Sequence, residues 1–293
     1  MKGKQFHITG YSTALFATWF FIEELGLLLD AGDGVSAGLL QKSRKVKQVF
    51  ISHADRDHLT GLLQFNQLNA RPGFPIIHYP ADSGSFPALA DFGGKFDRHV
   101  QLAKWQALRP GETVTLKKDI RVQAIRNGHV DVPTSLSKSL SYKISQVKWK
   151  IKSEFSDWPG PKIAQLAKEK GRAFISQEIE EPLLGYTGDS PVEDYERWDN
   201  TPILIHEATF LDDSTPMKKK ANKHSRLDEV MQMVSDIKIE TLILSHFSSR
   251  YSPEEIDKAI LAECQKHKLT IPVYRILPGE IHRDILAGDP LNA

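Results

Sequence analysis

The chain has 293 residues, 40% hydrophobic and 26% charged, an ordinary balance for a globular protein that builds its own core. A net charge of +1 excludes a polycation, so a nucleic acid would have to meet local basic patches. The single cysteine, Cys264, excludes an internal disulfide and fits a reducing compartment.

No uncharged run reaches the roughly 20 residues of a membrane span. The opening segment lacks a signal-peptide layout, its apolar stretch running into Glu23 and Glu24. The expectation is a cytoplasmic protein with no membrane partner. FHITG and STALFATWFFI read as strands, rich in aromatic and β-branched residues; EELG breaks the run, and LLLDAG continues as a short buried strand. The AGDG turn leads into a helix over VSAGLLQKSRK, then a buried strand, VKQVFIS, with His53, Asp55, Asp57 and His58 at its C-terminal end. LTGLLQFNQLNA has helical spacing, FPIIHYP is strand-like and FPALADFGGKF is mixed. DIRVQAIRNGH is an alternating strand ending at His129, EPLLGYTGDS a strand ending at Asp189, and TPILIHEATF a strand ending near His206 and Glu207. SRLDEVMQMVSDIK is an amphipathic helix with Leu227, Val230, Met231 and Val234 on one face. ETLILSHFSSRY is a strand ending at His246. SPEEIDKAILAECQKHK is a helix with Ser252 as N-cap, Pro253 at its first position and acids in its first turn.

Strands distant in sequence thus end in His or Asp: the 53–58 cluster, His129, Asp189 and His246. Strand ends on one edge of layered sheets can converge, and imidazole with carboxylate suits zinc, manganese or iron. Alternate spacing lets His53, Asp55 and Asp57 point one way, while the adjacent Asp57 and His58 can face a second metal. Two cations about 3.5–4 Å apart would clamp a phosphodiester and supply hydroxide at neutral pH. Isolated histidines are more often surface or structural residues, and His7, His78, His99, His206, His267 and His282 are read so.

These segments resemble the metallo-β-lactamase superfamily and, within it, ribonuclease Z, the tRNA 3′-processing endonuclease. HADRDHLTGL resembles the superfamily loop His-x-His-x-Asp-His, departing from it at Asp55. LLLDAGDGVSAGLL resembles the early Asp-Gly turn and YTGDS the Gly-Asp motif. LIHEATF, KHSR and LILSHFSSRY resemble the segments that mark the ribonuclease Z branch. The resemblance implies an α/β fold, the four-layer αβ/βα sandwich of the metallo-β-lactamase fold. It implies one domain over residues 1–293, with a shortened arm around 135–182. It also implies two divalent metal ions, zinc first. His53, His129 and Asp55 would hold one ion, Asp57, His58 and His246 the other, with Asp189 bridging. Asp57 would accept the proton of the attacking water. His224, oriented by Glu207, would protonate the leaving oxygen; the plain alternative for this pair is a helix cap or a surface contact. Aspartate is shorter than histidine and charged, so Asp55 leans the first site toward manganese or iron.

The implied function is hydrolysis of RNA phosphodiesters at the tRNA 3′ end, with RNA as partner and a homodimer as assembly. One alternative is a hydrolase of a small phosphodiester such as a cyclic nucleotide. Another is a metal-poor, non-catalytic paralogue serving as a binding protein. KSLSYKISQVKWKIKS carries Lys138, Lys143, Lys148, Lys150 and Lys152 beside Tyr142 and Trp149, a pattern that can follow a phosphate backbone. Its plain reading is an edge strand kept soluble by lysines. Lys148, Lys150, Ser248 and Arg250 are the candidate substrate contacts, and MKKKANKHSR is a second basic run.

Overall fold

The computed structural model describes residues 6–212 and 223–293. Among them the first sheet runs in chain order: β1 (Ile8–Thr13), β2 (Ala17–Ile22), β3 (Leu27–Leu29), β4 (Gln48–Phe50), β5 (Ile76–Pro80) and β6 (Lys104–Leu108). Its first three strands are antiparallel, and β3 to β6 are parallel. The second sheet comprises β7 (Thr113–Lys117), β8 (Ile120–Arg126), β9 (Leu140–Ile151), β10 (Ser176–Tyr186), β11 (Thr201–Glu207), β12 (Ile239–Ser245) and β13 (Val273–Arg275). Its spatial order is the reverse of the chain order, antiparallel from β7 to β10 and parallel from β10 to β13. The helices are α1 (Val35–Leu39), α2 (Arg56–Leu59), α3 (Leu62–Asn69), α4 (Ser85–Phe96), α5 (Gly160–Lys170), α6 (Arg172–Ile175), α7 (Leu227–Asp236) and α8 (Pro253–His267).

Strand alternation explains the layers. Phe20 and Ile22 of β2, Phe50 of β4, Ile203 and Ile205 of β11 and Ile243 of β12 point into one apolar layer between the sheets. The intervening residues point outward. Trp19, Phe21 and Val49 meet Val35, Leu62, Phe65 and Phe86 from the helical side of the first sheet. Leu204, Leu242 and Leu244 meet α7 and α8. Three apolar layers between four structural layers make the αβ/βα sandwich that the sequence implied, and each large buried side chain contributes roughly 1.5–3 kcal/mol. Leu227, Val230, Met231 and Val234 all lie in the α7–α8 layer. Ser252 caps α8 as read: its hydroxyl accepts from the Glu255 amide at 3.2 Å, and the Glu255 carboxylate accepts from the Ser252 amide at 2.7 Å.

Several local readings need correction. The first hairpin turns at Ala14–Phe16, inside what reads as one strand, because Leu15 takes a left-handed φ of 70°. The helix over 35–45 is α-helical only to Leu39; Leu40 has φ 49° and the rest is a 3-10 turn. The stretch read as mixed is the helix α4, with Pro87 tolerated in its first turn. The basic run is an edge only over its outer half. Over Tyr142–Gln146, β9 pairs with both β8 and β10; over Val147–Ile151, where Lys148 and Lys150 lie, it pairs with β10 alone. The outer halves of β9 and β10 therefore form a two-stranded ribbon, closed by α5 and α6. The lysines of MKKKANKHSR before Asn222 lie outside the described residues. No helix among the described residues is long and apolar enough to cross a membrane.

Candidate metal centre

The sheets close on each other along one edge. Leu140 donates its amide to the Ser52 carbonyl at 2.8 Å, and Tyr142 donates its hydroxyl to the Ile51 carbonyl at 2.6 Å. This seam fixes the loop after β4, with His53 to His58, against the loops after β8 (His129), β10 (Asp189) and β12 (His246). Their side chains meet in two groups. Asp57, His58, Asp189 and His246 each offer an atom within 4.8 Å of the others, as do His53, His129 and Asp189. Asp189 belongs to both. Its Oδ1 lies 3.3 Å from His58 Nε2, and its Oδ2 lies 3.3 Å from His246 Nε2 and 3.8 Å from His53 Nε2. Asp57 Oδ2 is 3.3 Å from His246 Nε2 and 3.6 Å from His58 Nε2.

Asp55 occupies the N-cap position of α2 but makes no capping bond with its side chain. Its Oδ2 instead stands 3.6 Å from both His53 Nε2 and His129 Nε2. Those imidazoles hold its carboxyl far below the usual carboxylate range against the opposing effect of burial. The side chain is still 47% exposed, whereas His53 is fully buried, so this corner of the centre opens to solvent.

The imidazoles are wired alike. His58 donates from Nδ1 to Asp30 at 2.7 Å, and His129 from Nδ1 to the Lys223 carbonyl at 2.8 Å. His246 donates to Thr209 Oγ1 at 2.9 Å, and His53 to Ser52 Oγ at 2.9 Å, whose own proton goes to Asp30 at 2.8 Å. Each Nδ1 is thus committed to the protein, and the Nε2 lone pair faces the centre. Among the described residues, Nε2 of His53, His58 and His129 is buried without a hydrogen-bond partner. An orphaned buried group costs about 1–3 kcal/mol, so three together need a common explanation. Cations at the two groups supply one: imidazole with carboxylate is a donor set for zinc, manganese or iron. Burial alone would raise the Asp189 carboxyl, but the His246 and His58 imidazoles outweigh it and hold the group well below the carboxylate range.

Beside these groups stands a pair of a different kind. Glu207, buried at the end of β11, accepts from the Ser190 amide at 2.8 Å and from His224 Nδ1 at 3.0 Å. His224 is ionised by its partner: burial opposes the charge, but Glu207 outweighs it and pushes the imidazole up to about 9. The pair is therefore neither a helix cap nor a surface contact. His206 turns away, bonding from Nδ1 to the Glu207 carbonyl at 2.7 Å, a structural role. Arg250 donates from Nε to Ser248 Oγ at 3.0 Å and lies 5.8 Å from the Phe210 ring centre, itself 6.3 Å from His224. Both residues thus flank the pair. Lys148 and Lys150 do not join the cluster; Lys148 lies eight residues along β9 from Leu140 at the seam, roughly 26 Å away at strand rise.

Sequence reasoning assigned no role to Asp30, Ser52 or Thr209. Asp30 is fully buried and accepts from the Ser52 amide at 2.6 Å, the Ser52 hydroxyl, His58 and the Tyr186 hydroxyl of the opposite sheet. Thr209 links Glu207, His224 and His246 through one hydroxyl. A charge ending the apolar run LLLD was a visible signal for Asp30; Thr209 lies in the quoted LIHEATF segment, but no role was read from it. Gly188 is required beside Asp189: its φ is 59°, and an added Cβ would stand 2.7 Å from Ser52 Cβ. Gly188→Ala is expected to cost about 1–3 kcal/mol, read as a lower urea midpoint. An unchanged midpoint would show that the loop relaxes freely.

Residues 27–151 match the model of a beta-lactamase superfamily domain. The chloroplastic tRNase Z TRZ2 of Arabidopsis thaliana is 30% identical over 272 residues, covering 88% of this chain and 72% of that protein. A ribonuclease Z of Haloarcula marismortui is 26% identical over 261 residues, covering 80% of this chain and 81% of its own length. Among solved structures, the short form of human tRNase Z superposes with a TM-score of 0.60 at 17% identity, over 94% of this chain and 98% of that one.

Proposed function

The chain belongs to the ribonuclease Z (tRNase Z) family, a family of metal-dependent hydrolases, and on that premise we propose that it cleaves RNA phosphodiesters at the 3′ end of precursor tRNA. The observation that carries this reading is the juxtaposition of two ligand groups sharing Asp189 with the ionised Glu207–His224 pair. The small-phosphodiester alternative is not favoured, because the sequence relatives are ribonucleases. The metal-poor alternative is not favoured either, because the buried Nε2 atoms are wired as ligands.

His53, Asp55, His129 and Asp189 would hold one divalent cation, and Asp57, His58, His246 and Asp189 the other. Bound there, the cations would supply phosphoryl-charge neutralisation and a water acidic enough to attack at neutral pH. The protein's own groups do the rest. Asp57, anchored through Oδ2 by the Leu15 amide at 3.1 Å, would take the water's proton. Asp30 and Thr209 fix the rings of His58 and His246. His224 keeps a proton on Nε2 for the leaving oxygen, while Nδ1 stays bonded to Glu207. Ser248 and Arg250, which flank the pair, would contact a phosphate beside the cut.

Zinc is the default occupant, but a carboxylate at position 55 hardens the first site and favours manganese or iron. Asp55→His is expected to raise the zinc-to-manganese affinity ratio at least tenfold, read by competition calorimetry; an unchanged ratio would remove Asp55 from the ligand set.

We further read the chain as one domain whose β9–β10 ribbon, with α5 and α6, is a shortened RNA-gripping arm. Trp149 is 40% exposed there, with the Arg172 guanidinium 5.2 Å from its ring centre, and Lys148 and Lys150 follow the same strand. Lys150→Ala is expected to weaken RNA binding and to reduce the slope of log K against log salt by about 0.7–0.9, while turnover of bis-p-nitrophenyl phosphate is retained. An unaltered salt slope would take Lys150 off the RNA path. The cytoplasmic location and the homodimer belong to the same proposal, and a light-scattering mass tests the dimer. A panel of precursor tRNA, cyclic nucleotides and bis-p-nitrophenyl phosphate tests the substrate: turnover of the small esters alone would exclude the ribonuclease reading.

A further inference from the structure

A cavity of about 380 Å³ opens beside the β1–β2 hairpin, lined by Tyr11, Phe16, Trp19, Asp33, Ala37 and Ile281 among others. The hairpin tip is tied to the metal centre on two sides. Leu15 donates its amide to Asp57 Oδ2 at 3.1 Å, and Ala14 donates to the carbonyl of Phe247, next to His246, at 3.2 Å. Held in this way, the tip presents two large apolar side chains to solvent: Leu15 is 87% exposed and Phe16 61%. Leu15 does so at a φ of 70°, a conformation that glycine or asparagine takes more readily. A strained turn displaying apolar side chains one hydrogen bond from a reaction centre points to a substrate contact.

We propose that this cavity is a nucleobase subsite, in which Phe16 stacks on the base immediately flanking the scissile phosphate. The inference rests on the reading of the metal centre as an RNA phosphodiesterase and adds where the neighbouring base goes. The lining selects the occupant. Tyr11, half-buried and stacked on the buried Trp19 with ring centres 6.5 Å apart at 17°, gives the cavity an aromatic wall. Asp33 at its rim repels phosphate but accepts an N–H from a base edge. A phosphate held at the centre therefore leaves its adjoining base, not its backbone, to enter here. Stacking of this kind tolerates any base, because each has a π-face.

The test uses the metal-loaded protein and RNA carrying 2-aminopurine on one or the other side of the scissile phosphate, followed by stopped-flow fluorescence before turnover. Quenching is expected at one of the two positions, lost in Phe16→Ala and kept in Phe16→Tyr. Steady-state KM for Phe16→Ala is expected to rise roughly 5- to 100-fold, and the gap to close on RNA made abasic at the quenched position. Phe16 is exposed, so the variant should fold; an unchanged thermal transition checks this, and Phe16→Tyr keeps the test valid if it does not. Full quenching in Phe16→Ala, no quenching at either position, or the same KM penalty on abasic RNA would overturn the subsite alone. If the wild type does not cleave the unmodified RNA, the ribonuclease reading fails and the subsite fails with it.

Discussion

Asp189→Asn is expected to remove more than about 10³-fold of turnover on RNA and on bis-p-nitrophenyl phosphate alike. Among the described residues, Asp189 is the one carboxylate that enters both ligand groups, with Oδ1 near His58 and Oδ2 near both His246 and His53. Asparagine has the same shape but offers one acceptor oxygen and no charge, so both cations would be weakened at once. Because the residue is buried amid His53, His58 and His246, losing its charge also leaves those rings without their anionic neighbour. Elemental analysis after gel filtration should show less than one metal per chain where the wild type holds two. A variant that keeps its full metal complement would show that Asp189 does not bridge.

The second large effect concerns proton transfer. His224→Ala is expected to lower kcat on RNA by about 10²–10⁴-fold, the usual span for a general acid. The loss should be far smaller on bis-p-nitrophenyl phosphate, whose leaving group departs without a proton. Metal content should be unchanged, since His224 Nδ1 is committed to Glu207. The sign of the pH effect follows from the raised imidazole. With its titration at about 9, His224 is protonated at neutral pH, and the RNA rate should fall as pH rises through that value. Glu207→Gln removes the carboxylate that raises it, so the alkaline fall should move to lower pH. Equal losses on both substrates would place His224 in a structural role.

The sequence revealed the chemistry better than the architecture around it. His53, Asp57, His58, His129, Asp189 and His246 were legible because charged and imidazole side chains directly after buried apolar runs are out of place unless they meet a common partner. Asp55 was legible as a departure and as a neighbour of His53 and His129; the packing adds that it forgoes the α2 cap to face them. Thr209 was illegible, since a threonine after a strand has many ordinary uses, and its role depends on His224 and His246 arriving from other elements. Asp30 is half legible: burial could be read from LLLD, but not its partner Tyr186, which is 156 residues away.

Elements were missed where local chemistry conceals them. The turn at Leu15 has no glycine, proline or asparagine to announce it and depends on a hydrogen bond to Asp57. β6 and β7 lie at the sheet edges, where alternate residues are exposed and the apolar pattern is thin. α4 contains Pro87, Gly93 and Gly94, which weaken a helical reading, yet its Phe86 is fully buried against the first sheet. β9 reads as an edge because its lysines cluster on the outer half, where it does pair with β10 alone; its inner half lies between β8 and β10 and is interior to the sheet.

The most direct test of the account is cleavage of a precursor tRNA bearing a 3′ trailer by protein stripped with a chelator and then reloaded with defined equivalents of manganese or zinc. The expected result is no cleavage by the stripped protein and recovery that completes at two equivalents, with the trailer released as one product. Cleavage that persists without metal, or a fully reloaded protein that leaves the precursor intact while hydrolysing small phosphodiesters, would contradict it.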